Sequence, residues 1–292
     1  MALSQNLNGA ALGLLAFGAY AAYDISAKFL GEGIHPLQII AAAGLFHLPI
    51  LVAYAWWQRG SLRPKAPKLM ALRAVGTVVN FIAGVSAFTM LPLAEAYVIF
   101  FTMPLMIAVL AIPVLGERLD PIRGLAVLLG LVGVVVALDP TTTPLNFGHA
   151  LAFTGASVGA MNYVLIRKTG AIERTPVMLL WPQLVLVPLV CAATPCVYVP
   201  MDARDLAVAA FMAVILFVGA MAIIAAYRRA AAVIVAPMQY SQIGWAAVFS
   251  ALLFHEPMTR SILLGCLLIA VAGTMVVVRQ DRPVVKPAGQ TP

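Results

Sequence analysis

Long apolar runs alternate along the whole chain with short clusters of charge, proline and glycine, and this coarse alternation outweighs any amphipathic period. A helix needs about 20 apolar residues to cross a hydrocarbon core about 30 Å thick. Runs bounded by charge, Pro or Gly predict ten such helices, near 9–29, 37–57, 69–89, 93–115, 121–138, 148–166, 177–195, 205–226, 230–254 and 261–278. The tightest junctions fall around Leu91 to Ala94 and around Arg228 and Arg229.

Composition turns the pattern into a solvent. Of 292 residues 63% are hydrophobic and 10% charged, against roughly a quarter charged in a soluble domain. So little charge cannot cover a water-facing surface, and a soluble globular protein is excluded. Ten spans take about 200 residues, which leaves about 90 for loops and tails and no large domain outside the bilayer. Cys191, Cys196 and Cys266 lie in apolar stretches with no CxxC spacing, so neither a disulfide scaffold nor a metal site is expected. The opening MALSQNLNGA lacks a basic n-region and a small-residue cleavage site, so the first apolar run is expected to stay as a membrane helix.

The net charge of +7 reads as topology, with no nucleic-acid partner implied. With the N-terminus inside, the inner loops and tail carry fifteen basic residues, counting Arg73, while the outer side holds Lys28, Arg204 and Arg260. Ten spans then put both termini in the cytoplasm, in a bacterial inner membrane. One offset of 139 residues superposes Gly9 on Gly148, Lys28 on Arg167, Gly31 on Gly170, Pro49 on Pro188 and Glu117 on Glu256. The expected fold is therefore an all-α integral membrane protein of two inverted five-helix repeats, residues 1–140 and 146–279, with a tail at 280–292.

The stretches AEAYVIFFTMPLMIAVLAIPVLGERL and AAAVIVAPMQYSQIGWAAVFSALLFHEP each end in a Glu before the last helix of a half. On these the chain resembles the ten-helix EamA type of the drug/metabolite transporter superfamily over about residues 9–278. Pro104, thirteen positions before Glu117, fits the family pattern, whereas Ile243 stands at the equivalent place before Glu256 and Pro237 lies earlier. Many members carry an Arg about seven residues after the second-helix Pro; here that position is Ala43, and no binding role transfers. The string APMQYSQIGW is similar to members that take up nucleoside-like metabolites such as S-adenosylmethionine.

Polar residues inside the spans mark the candidate site, because each would be costly facing lipid. Tyr20, Asp24 and Lys28 recur every four residues on one face of the first helix, with Tyr23 beside them. An acid at that depth costs about 2.5 to 3.5 kcal/mol on insertion scales. Asp24 therefore either pairs with an outward-snorkelling Lys28 that merely satisfies it, or the pair faces the cavity, with Asp24 holding a substrate amine or a coupling proton and Lys28 a further coupling candidate. Thr77, Asn80 and Gly84 share a face of the third helix; Asn80 is a ligand contact or an interhelical one. Glu95 opens the fourth helix, where an acid suits the helix start or serves coupling, and Tyr97 follows it.

Asn162 and Tyr163 are the repeat counterparts of Tyr23 and Asp24. Gln239 and Gln242 lie three apart near Trp245, and Pro237 frees a backbone carbonyl one turn back, so this segment is the foremost binding element. Glu117 and Glu256 read as helix-start acids, and Trp56 and Trp57 as interfacial anchors. The fifth and tenth spans are almost devoid of polar groups. With small-residue positions such as Gly130, Gly133 and Gly265, they read as scaffold or as a homodimer contact.

These features point to a secondary transporter moving a small organic metabolite by alternating access at a midplane site, in contact with lipid and with no cofactor, metal or catalytic residue. The alternatives are an intramembrane lipid-modifying enzyme, for which HExxH and GxSxG are lacking, and a channel, for which no filter motif is present.

Overall fold

The computed structural model describes residues 2–115, 121–138, 144–230, 235–242 and 260–278. All regular structure among them is helical. The helices are α1 (Ala2–Gly31), α2 (Pro36–Trp57), α3 (Pro67–Met90), α4 (Leu93–Phe100), α5 (Met103–Leu115), α6 (Pro121–Leu138), α7 (Phe147–Gly170), α8 (Thr175–Ala193), α9 (Ala203–Arg229) and α10 (Arg260–Val278). Among the described residues seven helical segments are long and apolar enough to cross a membrane, α4 and α5 together forming one of them. This is an integral membrane protein.

Local chemistry sets the helix starts. Pro36 and Pro67 occupy first-turn positions where a missing N–H costs nothing. Asn146 and Asp202 cap α7 and α9 through reciprocal capping boxes, with His149 and Asp205 answering. The expected span at 93–115 is two helices. Phe101 and Thr102 form a turn between them, and Thr102 folds its hydroxyl back onto the Ile99 carbonyl at 2.6 Å. Pro104, in the first turn of α5, has no N–H for the Phe100 carbonyl, and the α-helical ladder breaks there.

The expected helix at 230–254 also differs where it is described, because Ala236–Ser241 forms a 3₁₀ segment instead of α-helix. Pro237 stands at the second position of that segment. Glu117, Trp245, Glu256 and the tail 280–292 lie outside the described residues.

The principal packing pairs are α1 with α9, α3 with α7, α2 with α8, and α6 with α10. Glycine makes the closest approaches possible. A Cβ on Gly265 of α10 would stand 2.4 Å from the Gly133 carbonyl oxygen of α6. The small-residue faces of these two helices are thus used against each other within one chain, while Leu128, Leu131, Leu263 and Leu267 stay exposed on the outside of the pair.

Candidate functional site

Helices α1, α3, α4 and α7, with the segment 235–242, surround one cavity, and α2, α8 and α9 close its other side. Tyr20, Tyr23, Asp24, Asn80, Tyr97, Asn162, Tyr163, Gln239 and Gln242 all line it. Nine of the ten proposed ligand residues are therefore neighbours in space, although they come from five separate segments. The tenth, Trp245, lies outside the described residues.

Asp24 reaches across the helix interface. Its Oδ2 accepts the Tyr97 hydroxyl at 3.2 Å. The pairing of Asp24 with Lys28 expected from the sequence is not the contact seen for the acid. Lys28 Nζ donates to the Leu91 carbonyl at 2.8 Å, at the end of the bundle that carries the α3–α4 turn. Glu95 stands at that same end, its Oε2 3.4 Å from His149 Nε2. Lys28 and Glu95 do not belong to the cavity lining.

Several lining groups hold their places through backbone that proline or close packing has exposed. The Phe100 carbonyl, left without an i+4 donor by Pro104, accepts Gln239 Nε2 at 3.2 Å. Asn80 Nδ2 donates to the Gly155 carbonyl at 2.8 Å, and α7 comes this near because Gly159 has no Cβ to meet the Asn80 amide. Aromatic rings fill the wall beside Asp24: Phe88 stacks on Phe100 at 5.1 Å and meets Tyr97 edge-on at 5.1 Å. Phe17 and Tyr163 pack edge to face at 6.1 Å. The result is a mostly apolar chamber with a few convergent polar groups, the usual form of a small-molecule site.

Three polar lining residues were missed in the sequence. Arg73, counted among the loop cations, sits inside α3, only 6% exposed, and its Nη1 donates to the Met178 carbonyl at 3.2 Å. The signal for it was present, since Arg73 precedes Thr77 by four residues and so extends the Thr77, Asn80, Gly84 face by one turn. Gln183 of α8 is the second, and His47 of α2 the third, with Nδ1 2.8 Å from the Ala213 carbonyl of α9. Nothing in its isolated place in an apolar run distinguished it.

Away from the cavity, the loop between α2 and α3 is tied to the loop between α7 and α8. Arg174 donates to the carbonyls of Gln58, Arg59 and Ser61 at 3.0, 2.6 and 3.1 Å. Trp181 Nε1 donates to Leu62 at 2.8 Å, and Glu173 accepts the Ala66 N–H at 2.6 Å.

Residues 7–138 match the EamA-like transporter family. The chain is 23% identical, over 96% of each sequence, to an S-adenosylmethionine uptake transporter of Rickettsia felis. It is 22% identical, over 94% of each, to the S-adenosylmethionine uptake transporter of Rickettsia bellii. A solved crystal structure of 16% sequence identity superposes with a TM-score of 0.70 over 92% of this chain and 96% of the other, a likeness of fold.

Proposed function

We propose that this protein is a secondary transporter of S-adenosylmethionine or a close analogue, working by alternating access across a bacterial inner membrane with both termini cytoplasmic. The observation that carries this reading is the convergence of Asp24, Tyr97, Asn162, Gln239 and Gln242 on one aromatic-walled chamber. Such a chamber offers rings to stack on a nucleobase and amides and an acid to meet its amine and hydroxyl groups. The named function of the Rickettsia relatives supports the same substrate class.

Ten spans in two inverted halves, 1–140 and 146–279, supply the moving parts in this proposal. Helix pairing supports it: α1 meets α9 as α7 meets α3, while α2 meets α8 and α6 meets α10, each pair joining a helix to its own counterpart in the other half. That is the reciprocal set expected when each half presents the same helices to the other. Phe100 and Gln239, which touch, are also separated by 139 residues, the repeat offset itself, as residues lying on the axis between halves would be. A homodimer through the exposed outer faces of α6 and α10 belongs to the same proposal.

The test is counterflow in proteoliposomes with labelled S-adenosylmethionine, nucleosides and amino acids. Exchange of S-adenosylmethionine is expected. Chemical alteration of a lipid with no metabolite exchange would replace this reading with that of an enzyme.

A further inference from the structure

Arg73 is the most expensive side chain in the cavity wall. A guanidinium loses several kcal/mol of hydration on burial unless a counter-charge and hydrogen bonds replace water. Arg73 is 6% exposed, its Nε has no hydrogen-bond partner among the described residues, and none of their carboxylates lies within ion-pair distance. Among the described residues its guanidinium donates one hydrogen bond, to the Met178 carbonyl, which Pro182 leaves without an intrahelical donor. A neutral amide or hydroxyl would satisfy that carbonyl equally well, so the contact does not explain a charge.

The position of Arg73 relative to Asp24 is readable from helix register. Gly31 packs on Thr89 and Tyr23 on Phe81, each pair 58 residues apart, so α1 and α3 run parallel in one register and Asp24 lies level with Ile82. Arg73 is nine residues below that level, about 14 Å along the axis at 1.5 Å per residue. The chamber thus carries an acid toward one end and a fork-shaped cation toward the other. Its formal charges balance, which disfavours a dianion and suits a zwitterion.

We infer that Arg73 is the subsite for the substrate's carboxylate, orienting an amino-acid-bearing molecule with that group toward the α2–α3 end and its donor-rich end toward Asp24. A guanidinium presents two parallel N–H groups to a carboxylate, a match that an ammonium cannot copy. The inference rests on the transporter reading of the cavity and names the group that the cavity recognises.

The experiment compares acids with their decarboxylated amines in counterflow: S-adenosylmethionine with S-adenosyl-3-methylthiopropylamine, methionine with 3-methylthiopropylamine, and arginine with agmatine. The wild-type protein is expected to prefer the acid of at least one pair by tenfold or more. Arg73→Gln keeps an N–H for Met178 and is expected to abolish that preference while amine exchange continues. Arg73→Lys, which keeps the charge and loses the fork, is expected to retain part of it, and supplies the reading if the Gln variant does not fold. A parallel fall for acid and amine in the folded variants would make Arg73 structural and overturn the inference, as would a wild-type preference for the amines. Arg73-dependent preference for methionine or arginine without exchange of S-adenosylmethionine would sink only the substrate proposed above. Exchange of no pair would sink both.

Discussion

Tyr97 on α4 donates its hydroxyl to Asp24 on α1 at 3.2 Å, across the wall of the central cavity. A carboxylate in this apolar surrounding is expensive, and the phenol supplies one of the few hydrogen bonds that offset the cost. The same bond couples the broken helix pair α4–α5 to the first helix. Binding at Asp24 therefore acts on both elements.

Asp24→Asn keeps the shape and the Tyr97 contact while removing the charge. Transport is expected to fall at least tenfold with normal yield of folded protein. If Asp24 carries a coupling proton, the variant will also lose its response to an imposed pH gradient in proteoliposomes. An unchanged response would assign coupling elsewhere. Tyr97→Phe removes one buried hydrogen bond, worth about 1 kcal/mol, and should lower uptake about fivefold.

The break between α4 and α5 should matter to turnover more than to folding. Pro104→Ala returns an N–H to the Phe100 carbonyl, which then competes with Gln239 for it. Slower counterflow at normal protein yield is the expected outcome. Gln242→Ala, which removes a buried lining amide, should also lower transport and leave folding intact.

At the α2–α3 end, Arg174 joins two loops through three carbonyl hydrogen bonds. If this end opens in the transport cycle, Arg174→Ala weakens the closed arrangement. A cysteine placed at Thr77, in a background with Cys191, Cys196 and Cys266 replaced, should then react faster with a thiol reagent added from that side. Equal labelling rates would mean that the loops do not gate.

The contact of α6 with α10 is a question of stability. Gly265→Leu places a side chain where even a Cβ would be 2.4 Å from the Gly133 carbonyl oxygen. Separation of the two helices is expected to cost about 1 to 3 kcal/mol. A lower midpoint of thermal unfolding in detergent would register it.

The helical spans were readable in the sequence because a bilayer imposes one crude requirement, about 20 apolar residues with the backbone satisfied internally. The same penalty made buried polar residues conspicuous, which is why Tyr20, Asp24, Asn80 and Gln239 stood out before any contact was known. Proline marked backbone breaks but not their partners. That Pro104 frees Phe100 was legible; that Gln239 fills the vacancy was not, because nothing local joins residues 139 apart.

Arg73 shows the limit most plainly. A cation near a helix end has the same sequence appearance whether it snorkels to water or turns inward, and only the packing of α3 against α8 decided between them. Likewise the choice of Asp24 between Lys28, four residues away, and Tyr97, 73 residues away, depended on where α4 lies. Hydrophobic burial is set by composition and period, which are local. Partner choice for a buried polar group is set by geometry between helices, and that exists only once the chain has folded.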